Sequence, residues 1–424
     1  MTERGGRRMP TTRFVASPER DAGAGPGRSD APPRGGAAVV AVRRLFGAET
    51  GNFYLLLGTT LFLVAFGLVM VLSASSVTSY TESQQFFGGF ERQALFAALG
   101  IPLMLVASRA PSSFWKRWAP IAIMAAVTLQ FLTVATPLGY DVNGNQNWIR
   151  LGESLSFQPS ETVKLALVIW MALILSRKQG RIREWKELLL PLGPVTAVAI
   201  GLVLAGGDLG TVMILVAMVL GTLYFAGARL RHLGVAILAM VSVALLFAAS
   251  TASRQSRIDA WQNGCVGVDD YDGLCWQTLH GWWALASGGF FGVGLGNSKS
   301  KWNWLPEADN DFIFAIIGEE LGLLGAVTVL ALFVVMMIAF VRIIRANTDP
   351  FARVAVSTVM VWIIGQAFVN IAVVLGVLPV LGVPLPFISA GGTALISGMI
   401  AIGIVLSFAR RPVSTGARGR ATRQ

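Results

Sequence analysis

The sequence predicts an all-α polytopic membrane protein with ten transmembrane helices, both termini in the cytoplasm, and a large external loop between spans seven and eight. Three observations carry this reading. Of 424 residues, 54% are hydrophobic and only 13% are charged, and the mean hydropathy is positive, which excludes a chain of two or three soluble domains. Apolar runs long enough to cross ~30 Å of hydrocarbon recur along the chain. The Lys and Arg residues behind the net charge of +11 sit in the tails and in every second loop. That is the positive-inside distribution, not a basic face for nucleic acid.

Residues 1–50 are rich in Arg, Gly, Pro and Ala and show no periodicity. They carry too little apolar surface to offset ordering entropy and are expected to be a disordered cytoplasmic tail. No cleavable signal precedes the first apolar run, so that run is expected to insert and stay. The spans are expected at about 53–74, 93–108, 118–136, 161–176, 189–206, 209–226, 233–250, 312–341, 353–376 and 392–409. Basic clusters follow spans two (Arg109, Lys116, Arg117), four (Arg177, Lys178, Arg181, Arg183, Lys186), six (Arg229, Arg231), eight (Arg342, Arg345, Arg353) and ten (Arg410, Arg411, Arg418, Arg420, Arg423). With ten spans all of them fall on the inner side, and nine or eleven would break the pattern. The membrane domain is then 51–410, and 411–424 is a second cytoplasmic tail.

The external side holds the unusual material. One loop covers about 137–160 and contains Trp148, Arg150 and Gln158-Pro-Ser-Glu161. The longest, about 251–311, has no clear helix or strand pattern, and loops of that length are more often functional than idle. The last, Leu378 to Gly392, carries three prolines; its broken backbone is expected to re-enter the membrane under cover of protein.

Candidate chemistry gathers at Lys301-Trp-Asn-Trp-Leu-Pro-Glu-Ala-Asp-Asn-Asp-Phe-Ile-Phe314. Asp311 stands where a wet loop meets an apolar helix, so desolvation would raise its pKa and suit it as a general base. An N-cap role for the Asp309–Asp311 group accounts equally for Asp at this place. Glu319 lies eight residues on, roughly 12 Å at ~1.5 Å per residue, and is expected on the same side as Asp311; Glu320 is expected to bond to a neighbouring helix. Glu161 and Lys164 share a helix face at the start of span four, as an interfacial ion pair or as an anion site in a cavity opening outward. Arg254 and Arg257 put positive charge on the outer side, against the topological bias. They fit surface pairing with Asp259 or Asp269, or the phosphates of an outer-leaflet lipid. Asp208, between spans five and six, reads as a tight-turn residue. Cys265 and Cys275 face an oxidising side and are expected to form a disulfide. No Cys/His set has metal-ligand spacing. On these features alone, transporter and membrane enzyme stand equal.

Four stretches occurring in order are more specific: Gln158-Pro-Ser-Glu-Thr-Val-Lys164, Gly288-Gly-Phe-Phe-Gly-Val-Gly-Leu-Gly296, Leu305-Pro-Glu-Ala-Asp-Asn-Asp-Phe-Ile-Phe314 and Gly376 to Gly392. Over about 53–409 the chain resembles the SEDS family of shape, elongation, division and sporulation proteins, and its division branch more than its elongation branch. The Arg-rich tails and the Ser389-Ala-Gly-Gly-Thr393 run resemble actinobacterial members.

The resemblance implies a peptidoglycan glycosyltransferase that polymerises lipid II on the outer face of the cytoplasmic membrane at the division septum. Its implied partners are a class B penicillin-binding protein (a transpeptidase) and other division proteins. The catalytic aspartate implied is Asp311, with Lys164, Arg254, Arg257, Glu161 and Glu319 around the substrate. Two positions depart from the family pattern: Asp309-Asn310 stands where most relatives have His-Thr, and Asn147 where many have Arg. Mg or Mn assistance is compatible with pyrophosphate chemistry, but the sequence shows no dedicated cage. A lipid II flippase would need ionisable groups at several depths, whereas the charges here cluster at the outer ends of spans. A non-catalytic division scaffold is the third reading. Ala394, Gly398 and Ala401 of span ten are expected to allow close approach of a partner's helix.

Overall fold

The computed structural model describes residues 49–142, 145–152, 155–182, 184–248, 258–265, 273, 275–302 and 304–410. The two predicted tails lie outside these residues, apart from 49–50. The described chain forms α1 (Gly51–Ser83), α2 (Gly88–Ala107), α3 (Ser112–Ala135), β1 (Gly139–Val142), β2 (Asn145–Leu151), β3 (Leu155–Phe157), α4 (Pro159–Arg177), α5 (Trp185–Ala205), α6 (Leu209–Ala226), α7 (Leu230–Ala248), α8 (Trp276–Gly288), α9 (Ile313–Ala346), α10 (Pro350–Val374) and α11 (Gly392–Ala409). Among the described residues, eight helices are long and apolar enough to cross a membrane. Two shorter apolar segments, Leu190–Ala205 and Leu230–Met240, overlap the fifth and seventh predicted runs, the second of them only in part.

α4 and α10 bury residues on every face, a few of them polar, as central helices without a solvent-facing stripe do. They pack on each other, and α10 also meets α6 and α9 while α4 meets α3. Small residues bring α11 against α2: a Cβ on Gly403 would stand 2.5 Å from the Met104 carbonyl. Ala401 is fully buried and Gly398 packs on the Phe387 ring. For Gly398 and Ala401 that inward packing corrects the expectation of a partner-docking face, because they serve contacts within the bundle.

Three features depart from a simple all-α chain. The 137–160 segment, read as a loop, folds as an antiparallel sheet in the order β1-β2-β3, with Tyr140 opposite Trp148 and the Arg150 guanidinium 3.8 Å from the Tyr140 ring centroid. The sheet docks on the α5–α6 turn, where the Asn147 side-chain amide donates to the Gly206 carbonyl at 2.7 Å. The longest loop contains α8, whose Gly281 lies against Phe312. Its aromatic and Gly content hid the helical period.

The third departure is a break in α9 at Gly322 (φ 67°, ψ −164°). A broken helix buried among helices needs other partners for its freed backbone groups, and the glycine-rich 289–294 segment supplies them. Val293 and Gly294 donate to the Glu319 and Glu320 carbonyls at 2.9 and 3.0 Å, and Leu323 and Leu324 donate to Gly289 and Phe290 at 2.9 and 3.3 Å. The approach is so close that a Cβ on Gly292 (φ +82°) would overlap the Glu320 backbone. We expect Gly292→Ala to lower the unfolding temperature of the purified protein far more than Gly227→Ala. Gly227 has φ +91° but open space around it, so it carries only the conformational cost of about 1–3 kcal/mol. Equal losses would show that the loop does not brace the break.

Candidate active site

The segment before α9 is fixed through its main chain. Asn310 and Phe312 N–H groups donate to the Glu307 carbonyl, each at 3.1 Å. From the other side come α10 and the 375–391 segment, which turns back into the bundle and buries Val383, Leu385, Phe387 and Ile388. Ala390 N–H donates to the Asp309 carbonyl at 2.8 Å, the Ser389 hydroxyl to the Asn310 carbonyl at 2.7 Å, and the Asn370 amide to the Asp311 and Val383 carbonyls at 2.8 and 2.7 Å. Three successive carbonyls are thus clamped while the Asp311 carboxylate takes no part.

That carboxylate does not cap the helix: the cap position is Phe312, with no side-chain bond to α9. The capping alternative is therefore corrected for Asp311, whose carboxylate makes no such bond. Oδ1 of Asp311 is buried without a hydrogen-bond partner, and a Cβ on Gly382 would stand 3.5 Å from Oδ2. Burial, then the negative charges of Glu307, Asp208 and Asp309, push the Asp311 carboxyl up to about 7. Such a group can take a proton near neutral pH.

Asp208 caps α6, accepting from Thr211 N–H at 2.8 Å, and its other oxygen accepts from Gln158 at 3.0 Å. Burial raises its pKa, Thr211 and Lys164 act against that, and Glu161 adds to it. Asp208 is therefore more than a turn residue. It couples electrostatically to the Glu161–Lys164 pair on one side and to Asp311 on the other.

Lys164 is fully enclosed, with Nζ 2.6 Å from Glu161 Oε1, 3.3 Å from Gln366 Oε1 and 5.1 Å from the Trp362 ring centroid. Ser397 donates to the other Glu161 oxygen at 2.9 Å. The pair is interior, not interfacial, and its lysine does not face an outward-opening cavity. α4 starts inside a ring of other elements, so its first turn is covered rather than wet. Gln366 also donates to the Pro384 carbonyl at 2.9 Å, tying this pair to the re-entrant segment.

Glu319 is not directed at Asp311. Its oxygens accept from Ser298 Oγ at 2.6 Å and Lys299 N–H at 3.0 Å. The α9 break and the loop packed there, invisible to helical-wheel counting, give it these partners. Glu320 accepts from Ser73 of α1 at 2.6 Å and pairs with Lys301 at 3.3 Å, a neighbouring-helix bond as expected. Arg254 and Arg257 lie outside the described residues. Cys265 and Cys275 are bonded, with Cα atoms 5.7 Å apart, and tie the 258–265 segment to the start of α8.

Sequence reasoning missed Asn370 and Gln366. Their signal was two amides four apart on an otherwise apolar helix, a pattern that places both on one face and costs energy unless partnered. Among the described residues no three His, Cys, Asp or Glu side chains gather in metal-binding geometry.

An apolar helical bundle, with eight helices long enough to cross a membrane among the described residues, carries a buried, perturbed carboxylate just before one of them, and comparison with known proteins narrows the class. The family model described as a cell cycle protein family, FtsW/RodA/SpoVE, matches residues 54–412. The chain belongs to that family. It is 37% identical over 385 residues to a probable peptidoglycan glycosyltransferase FtsW of Mycobacterium tuberculosis, covering 90% of this chain and 73% of that one. It is 38% identical over 350 residues to the protein of the same description from Trichlorobacter lovleyi, covering 82% and 90%. In fold it is similar to the rod shape determining protein RodA of Thermus thermophilus (TM-score 0.63, 24% identity, 86% and 97% covered). A chain from a peptidoglycan synthase complex gives a TM-score of 0.67 at 24% identity, covering 84% and 96%.

Proposed function

We propose that this chain is a peptidoglycan glycosyltransferase that polymerises lipid II on the outer face of the cytoplasmic membrane, with Asp311 as general base. The observation that carries the mechanism is the Asp311 carboxyl, raised to about 7 and left out of every main-chain clamp around it. Asp311 takes the proton of an acceptor sugar hydroxyl as that oxygen forms its bond to C1 of the donor sugar. The C1–oxygen bond to pyrophosphate breaks, and its electron pair leaves with the lipid pyrophosphate. Arg254 and Arg257 are assigned to that growing negative charge, because guanidinium forks match phosphate oxygens. Lys164 and Glu161 act at one remove, holding the field around Asp208 and so around Asp311. Glu319 positions the 298–299 loop.

The ten-span topology with both termini inside rests on the alternation of basic loops and on the two shorter apolar segments at the fifth and seventh runs. The septal setting and a class B penicillin-binding partner rest on kinship: the similar solved chain comes from a complex that coordinates polymerization and crosslinking. The test is purified protein with labelled lipid II, with and without the partner synthase, read for glycan length. We expect polymer, and more of it with the partner. Transfer of lipid II across vesicles without polymer would establish a transporter instead.

A further inference from the structure

A cavity of about 410 Å³ opens beside the site, walled by Trp261, the Cys265–Cys275 bond, Trp276, Gln277, Thr278, Pro306 and the Pro379–Val380 turn. Its volume lies in the ~300–1,000 Å³ range of ligand pockets. It adjoins the reacting carboxylate through both chain segments that frame Asp311: Pro306 precedes the clamped turn, and Val380 is two residues from Gly382. We propose that this cavity is a saccharide subsite that holds an N-acetylhexosamine ring of the substrate; the proposal rests on the glycosyltransferase reading above.

The lining chemistry selects that ligand. Among the described residues no ionisable side chain lines the cavity, so these residues offer a pyrophosphate no cation. Two indoles supply flat carbon surface next to an amide and a hydroxyl, and this mixture suits a ring with apolar faces and polar edges. Trp261 is fixed in place because its indole N–H donates to the Gly376 carbonyl at 2.9 Å, so it offers ring surface rather than a donor. Trp276 is braced by His280, with ring centroids 3.8 Å apart. The Gln277 amide nitrogen donates to the Pro306 carbonyl at 3.2 Å, which orients the side chain at the rim. The disulfide is one wall of the cavity and holds the Trp261 turn against the start of α8.

The test uses the full chain in nanodiscs and N,N′,N″-triacetylchitotriose, a probe with neither lipid nor pyrophosphate, followed by saturation-transfer NMR. Wild type and Asp311→Asn are expected to bind it alike, while Trp261→Ala weakens binding tenfold or more and Trp261→Phe recovers much of it. In polymerisation, Trp261→Ala shortens product chains if the cavity holds the glycan, or raises KM for the lipid-linked monomer if it holds the donor. Absence of probe binding by wild type, or binding and polymerisation unchanged in Trp261→Ala, would overturn the subsite. Loss of polymer in Asp311→Asn alongside such a result would leave the glycosyltransferase reading standing, whereas probe binding with no polymer from wild type would leave only the subsite.

Discussion

Asp311→Asn is expected to abolish polymerisation, by roughly 100-fold or more, the range for losing a general base. The substitution keeps size and shape, and the bonds that hold the Asp309, Asn310 and Asp311 carbonyls do not involve the Asp311 carboxylate, so the protein should purify in normal yield. Asp309→Asn should cost far less, since Asp309 contributes only a minor part of the field on Asp311. The wild-type rate should rise with pH through about 7 as Asp311 loses its proton. Stability should move the other way. A carboxyl whose folded pKa is raised binds more protons in the folded than in the unfolded state between about 4 and its folded pKa, so its contribution to stability falls as pH rises through that window. Asp311→Asn should therefore unfold at a higher temperature than wild type at pH 8 and show little gain at pH 4. Near-normal polymerisation by a well-folded Asp311→Asn protein would sink the base assignment.

The second large effect concerns the interior pair. Lys164→Ala leaves the Glu161 carboxylate buried with only Ser397 bonded to it. Breaking a buried pair in this way costs about 3–5 kcal/mol, so this variant should lose most of its folded yield and thermal stability. The double variant Glu161→Gln/Lys164→Met removes both charges and should recover much of the stability, because no unpaired charge remains. It should not recover full polymerisation, since Lys164 also opposes the rise in the Asp208 pKa, and Asp208 acts on Asp311. Measured by thermal unfolding and glycan synthesis together, full recovery of both would reduce the pair to a packing element. A stable but slow double variant would separate its electrostatic role from its structural one.

What the sequence determined by itself was set by solvent. Lipid demands long apolar runs, a one-dimensional pattern, so the described helices other than α8 fall on or overlap the runs read from composition and periodicity. Asp311 was legible for the same reason: a carboxylate at the border of water and an apolar helix is written in the order Asn310-Asp311-Phe312-Ile313. Tertiary structure alone decided what each polar group bonds to. Helical counting put Glu319 beside Asp311, but the Gly322 break and the 289–294 segment give its oxygens to Ser298 and Lys299. A pair that could have been interfacial, Glu161–Lys164, is sealed by Gln366, Trp362 and Ser397 from helices about 200 residues away or more. Asp208, read as a turn, joins that pair to Asp311. Periodicity reports which face of a segment avoids water, whereas a buried charge is governed by the nearest dipoles and counter-charges in space, and those come from distant parts of the chain.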